Sequence, residues 1–158
     1  MKKIILTIAL IVPVGVFIFL RFFGKNEFAI PVYHESGVES PSSRCHRNYL
    51  SPYLVSDSLL NIMGWTGGNA IILTDSSRSV NVGLKRLSGE FNSEVQLIFP
   101  VGEVKELSEI YSCDLLLQSP WTAVLIDEQR RIRGYYDPED REETDRLIVE
   151  LKILLKQY

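Results

Sequence analysis

From residue 70 onward, short apolar runs alternate with segments whose apolar residues recur every three or four positions, and that alternation limits the chain to a layered α/β fold. Ala70 to Leu73 is a continuous apolar run, as in a strand covered on both faces. Val80 to Phe91 places Val80, Leu84, Leu87 and Phe91 on one side of a helix. Val95 to Phe99 is a second buried strand, closed by Pro100, and Val104, Leu107, Ile110 and Tyr111 give the next helix its apolar face. Trp121 to Ile126 and Ile132 to Tyr136 are a third and fourth strand, joined by the short link Asp127 to Arg131 that suits an antiparallel hairpin. The last helix carries Leu147, Ile148, Leu151, Leu154 and Leu155 as its stripe. Asp137 is its expected N-cap, with Pro138 in the first turn. The expected order is β-α-β-α-β-β-α, with the first two strands parallel across a helical crossover and the last two antiparallel.

The other strong feature is at the front. Ile4 to Leu20 holds no charge and spans about 26 Å as a helix, or roughly 30 Å through Phe23. Lys2 and Lys3 precede it and Arg21 follows. A cleaved signal peptide is the competing reading, but no small-x-small site follows the run. The expectation is therefore an uncleaved transmembrane anchor over residues 1–24, a lead-in over 25–55 and a domain over 56–158. A two-lysine tail is more easily held inside than a domain, so the expected location is a single-pass inner membrane protein with its C-terminal domain outside the cytoplasm. Net charge is −3 with both signs mixed along the chain of 158 residues, and no basic stripe is interleaved with aromatics, which argues against nucleic acid as a partner.

The segment Ala123-Val-Leu-Ile-Asp127-Glu-Gln-Arg-Arg-Ile-Arg-Gly-Tyr-Tyr-Asp137 and the helix that follows resemble the end of SCO/SenC proteins. Those are membrane-anchored proteins of thioredoxin-like fold that help deliver copper to cytochrome c oxidase. The Ile30-Pro-Val-Tyr33 lead-in is similar to that of some bacterial members. The resemblance implies a thioredoxin-like domain with a central mixed sheet, preceded by one transmembrane helix. It also implies where a metal site would lie: a Cys-x-x-x-Cys pair after the first central strand and a His before the third. Here the first position reads Thr74-Asp75-Ser76-Ser77-Arg78-Ser79-Val80, and the His position falls near Ser119 beside Pro120. Asp75, Ser76, Ser77, Ser79, Val80, Ser119 and Pro120 thus mark an emptied site, because hydroxyls are poor replacements for thiolates toward copper. Arg130 stands where the family usually has glycine.

Few residues remain for chemistry. Cys45 and Cys113 form either a disulfide, at a loop-closure gain of about 4 kcal/mol, or two free thiols. Cys45 and His46, with His34 upstream, are weak metal-ligand candidates; residues 35–52 are rich in Ser, Pro and Gly and read as a loop or a loosely packed lead-in. Pro120 sits where a cis-proline would shape a docking edge, and either isomer is open. Trp121, Tyr135 and Tyr136 form either a binding patch or ordinary packing. Asp75 is an N-cap candidate. The expected function is non-catalytic protein binding without a cofactor. The alternative is copper delivery or thiol–disulfide exchange using Cys45, Cys113 or the two histidines.

Overall fold

The structure is a computed structural model that describes residues 2–23, 28–39, 45–74, 82–91 and 93–156. Its helices and strands run α1 Lys2–Phe23, α2 Asp57–Ile62, β1 Asn69–Leu73, α3 Val82–Glu90, β2 Val95–Ile98 and α4 Val104–Glu109. A π-helical turn Ile110–Asp114 follows, then β3 Ala123–Ile126, β4 Ile132–Tyr136 and α5 Arg141–Leu154. The strands form one mixed sheet in the order β2-β1-β3-β4. β1 and β2 are parallel, with Asn69 opposite Val95 and Ile72 opposite Ile98; β1 and β3, and β3 and β4, are antiparallel.

One expectation is overturned. Among the described residues no helix is long and apolar enough to cross a membrane. The anchor over Ile4 to Leu20, the expected inner-membrane location with the domain facing outward, and the architecture of a thioredoxin-like domain behind a transmembrane helix are corrected accordingly. What stands is a mixed α/β chain with a four-stranded sheet.

Period-two alternation divides the sheet's side chains between two cores. Ile71, Leu73, Ala123, Leu125 and Tyr136 point to one face, where Leu87 of α3 and Leu147, Ile148 and Leu151 of α5 cover them. Ala70, Ile72, Val124, Ile126 and Ile132 point to the other, against Leu60 of α2, Leu115 and Leu117. β1 is buried along its whole length because it is central in the sheet and covered on both faces. The lead-in reaches the core on either side of its loop, through Ile30, Tyr53 and Val55, while none of the described residues of 35–52 is buried.

The helix ends explain the remaining differences. α2 stops at a Schellman turn, with Gly64 N–H on Asn61 O and Trp65 N–H on Leu60 O, and Gly64 takes the left-handed conformation at φ 86°. α5 starts later than expected. Asp140, not Asp137, accepts the N–H groups of Glu142 and Glu143 as N-cap. Asp137 instead accepts from Thr122 Oγ1 and Glu139 N–H. The helix expected through Tyr111 is α4 running into the π turn. Val80 of the expected α3 lies outside the described residues.

The β3–β4 hairpin carries a bulge. Leu125 faces Gly134 but Ile126 faces Ile132, which leaves Arg133 as the extra residue. The bulge re-aims Arg133 inward, where it is buried and donates from Nη1 to Asp127 (3.3 Å) and from Nη2 to Ile30 O (2.7 Å). Asp127 also accepts from the N–H of Gln129 and Arg131 and from Arg131 Nε. Arg130 adopts φ 65°, so the chain here uses the conformation a glycine would supply without having one. Gly134 is needed for space: a Cβ there would sit 2.8 Å from Tyr136 Cε2, overlapping the ring that folds across it to reach Glu150.

Candidate functional site

Two regions of the sheet deserve comparison. The first is the end where β1 leaves and β3 enters. Thr74 donates to Thr122 O from both N–H (2.9 Å) and Oγ1 (3.2 Å), so the two chain segments are held side by side. The Ser119–Pro120 bond is cis, and both residues are exposed. Asp75, Ser76, Ser77, Ser79 and Val80 lie outside the described residues, as does the proposed N-cap role of Asp75. Trp121 is half-buried, and Arg146 lies over its ring (5.7 Å to the centroid) and over that of Tyr136 (4.7 Å). Of the three aromatics considered as a patch, Tyr136 is fully buried and Tyr135 half-buried, so packing accounts for most of their surface.

The second region is on the opposite face from α3 and α5, around the π turn. A π turn leaves carbonyls without regular helical partners. Leu115 N–H closes the turn on Ile110 O, and Leu117 N–H reaches Tyr111 O past Leu116 at φ 53°. Three tyrosine hydroxyls then take three successive carbonyls. Tyr49 Oη donates to Cys113 O (3.0 Å), Tyr53 Oη to Asp114 O (2.6 Å) and Tyr135 Oη to Leu115 O (3.1 Å). Burial raises the Tyr53 and Tyr135 phenols well above their ordinary range, Asp114 adding to the effect at Tyr53, so both remain donors at neutral pH. Two of these tyrosines come from the lead-in and one from β4. No periodicity in the sequence connects them.

The disulfide belongs to the same assembly. Cys45 and Cys113 are joined, with Cα atoms 5.4 Å apart across 68 positions of sequence. Of the two cysteine alternatives, the bonded one is present, and both sulfurs are consumed in it. Arg47, two residues after Cys45, donates to Asp114 (3.1 Å), the residue after Cys113. His34 sits at φ 57° and its Nε2 lies 3.1 Å from Tyr135 Oη. Since that hydroxyl donates to Leu115 O, His34 Nε2 must be the protonated nitrogen. Burial lowers the His34 pKa. His46 is exposed. The three weak ligand candidates therefore have separate surroundings: Cys45 in the disulfide, His34 on Tyr135, His46 in solvent. Among the described residues no group of three or more His, Cys, Asp or Glu is placed to hold a metal ion.

Beside the disulfide opens a groove of about 490 Å³. One wall is the lead-in, with Arg47, Tyr49 and Tyr53; the others are Leu59 and Ile62 of α2 and the π turn with Ile110 and Asp114. Ile62 is 83% exposed and Leu50, in the lead-in, is 78% exposed. A second hollow of about 500 Å³ lies between α3 and β2, lined by Leu87, Phe91, Val95 and Gln96. Its polar end is internally satisfied, because Gln96 Nε2 donates to Gly64 O and Gln96 Oε1 accepts from Thr66 N–H and Oγ1. In the sequence the first groove is signalled only by Tyr49 and Tyr53, close after Cys45. Comparison with protein-family models, with curated proteins and with solved structures returns no match.

Proposed function

We propose that this chain acts by binding a protein, without copper or thiol chemistry of its own, as a divergent relative of the SCO/SenC proteins. One observation carries the reading: both cysteine sulfurs are spent on each other in a bond that lies beside a tyrosine-lined groove. A disulfide placed as a brace has no neighbouring thiolate to attack it and no free sulfur to offer a soft metal. The groove has the make-up of a protein contact, with tyrosine and arginine on its walls and exposed aliphatic side chains at its rim. The Ser, Thr and Asp residues that stand at the family's cysteine positions point the same way.

The test is site-specific photo-crosslinking in cells. A benzophenone amino acid replaces Ile62, or, as a second position at the other end of the sheet, Val101, which is 95% exposed. A discrete crosslinked product from either position supports binding of a protein. No product from either, in cells where the chain is present and folded, refutes it.

A further inference from the structure

The groove beside the disulfide combines three features: a skewed charge, an apolar rim and a covalent staple across its walls. The charge comes first. Among the described lining residues Arg47 is the only cation; it is engaged by Asp114, also in the lining, at 3.1 Å and by Glu109, just outside it, at 3.8 Å. Two carboxylates against one guanidinium leave this end net negative. Asp57, beside the lining residue Ser56, accepts from Asn61 Nδ2, and among the described residues no cation pairs with it. Asp114 is the more buried partner, its side chain 15% exposed, and burial raises its carboxyl despite the pull of Arg47. A second cation entering the groove would relieve that imbalance. The half-buried ring of Tyr49, on the groove wall, also favours one.

The rim comes second. Ile62 and Leu54 stand at the groove with apolar surface in solvent. A ligand that was only cationic would leave that surface wet. A short peptide segment with a basic side chain flanked by aliphatic ones covers both.

The staple comes third. Cys45 is in the segment that leads into the Arg47–Tyr53 wall, and Cys113 is in the π turn that forms the wall opposite. The other ties between those walls are the Tyr49 and Tyr53 hydroxyl bonds and the exposed Arg47 pair. A pair of that exposure holds weakly.

We infer that this groove binds a basic, aliphatic-flanked segment of a protein partner and that the Cys45–Cys113 disulfide holds it in the binding shape. The inference rests on the protein-binding reading above and specifies its site. Reduction by a dithiol transfers two electrons to the S–S bond. The two sulfurs take up two protons to become thiols, and the dithiol closes to its own cyclic disulfide. The lead-in wall is then held by the two hydroxyl bonds, the exposed Arg47 pair and the packing of Tyr53 and Val55, without a covalent tie, and affinity for the segment falls.

The probe is a labelled octapeptide alternating leucine and lysine, titrated with the full chain and read by fluorescence anisotropy. Its counterpart alternates leucine and glutamate. The lysine peptide is expected to bind at least tenfold more tightly than the glutamate peptide. Ile62→Lys and Glu109→Lys, both at exposed positions that the fold does not need, are each expected to weaken it tenfold. Reduction with dithiothreitol is expected to do the same while far-ultraviolet circular dichroism stays unchanged. Equal binding of the two peptides, no binding, or indifference to both substitutions overturns the groove assignment. Full affinity in the reduced chain overturns the role of the staple, and if reduction unfolds the chain, a Cys45→Ser variant with native circular dichroism decides the point. Should crosslinking capture a partner only through Val101, protein binding stands and this groove does not.

Discussion

Reducing the Cys45–Cys113 bond is the perturbation whose size follows most directly from the structure. The bond closes a loop of 68 positions. In the chain-entropy model such a link removes about 15 cal/mol/K from the unfolded ensemble, or about 4 kcal/mol at 25 °C. Neither sulfur is asked to bury anything new when the bond opens, since Cys113 is already 2% exposed and a thiol is a small apolar group. The loss therefore arises almost wholly in the unfolded state. For about 130 cooperating residues, the unfolding entropy is roughly 0.27 kcal/mol/K, so the melting temperature should fall by about 15 °C. The assay is urea unfolding followed by fluorescence of Trp65 and Trp121, with and without dithiothreitol. Two results are expected together: a lower midpoint, and a steeper dependence on urea because the uncrosslinked chain exposes more surface on unfolding. Stabilities of the oxidised and reduced chains within about 1 kcal/mol of each other would refute the argument. A drop in midpoint with an unchanged slope would place the bond's effect in the native state instead.

Asp127→Ala should cost about 3–5 kcal/mol in the same urea assay, because it leaves the buried Arg133 guanidinium with no carboxylate. Adding Arg133→Met should recover most of that loss; no recovery would show that the cost lies in the hairpin turn and not in the orphaned charge. His34 should make stability depend on pH. Its folded pKa is lowered by burial, so the unfolded chain binds the proton more readily, and stability is complete above the ordinary value of 6.5 and declines as pH falls through it. Melting temperatures from pH 8 to pH 5 should show that decline in the wild-type chain and a flatter profile in His34→Gln; parallel profiles would exclude the imidazole as its source.

The strand and helix succession was legible because it rests on local rules. The continuous apolar runs Ala70 to Leu73 and Ala123 to Ile126 mark strands covered on both faces, and the stripe Leu147, Ile148, Leu151 reflects the period that burial imposes on a helix. The parallel and antiparallel pairings follow from connection length. Helix ends were less legible. Asp137 and Asp140 are both residue types that cap a helix; in the structure Asp137 accepts from Thr122 Oγ1 and Glu139 N–H while Asp140 caps α5. The apolar opening run suggested a membrane span by composition alone, and α1 among the described residues does not supply one.

The groove belongs to the other category. Cys45, Tyr49 and Tyr53 are remote in sequence from Cys113 to Leu115, and Tyr135 is remote from both; they meet only because the lead-in crosses the face of the sheet that α3 and α5 leave open. Period and propensity act over a few residues, so they specified the sheet and its covering helices. The disulfide, the three hydroxyls on three carbonyls and the inward turn of Arg133 depend on which distant atoms are within bonding reach, and that is settled only when the two cores close.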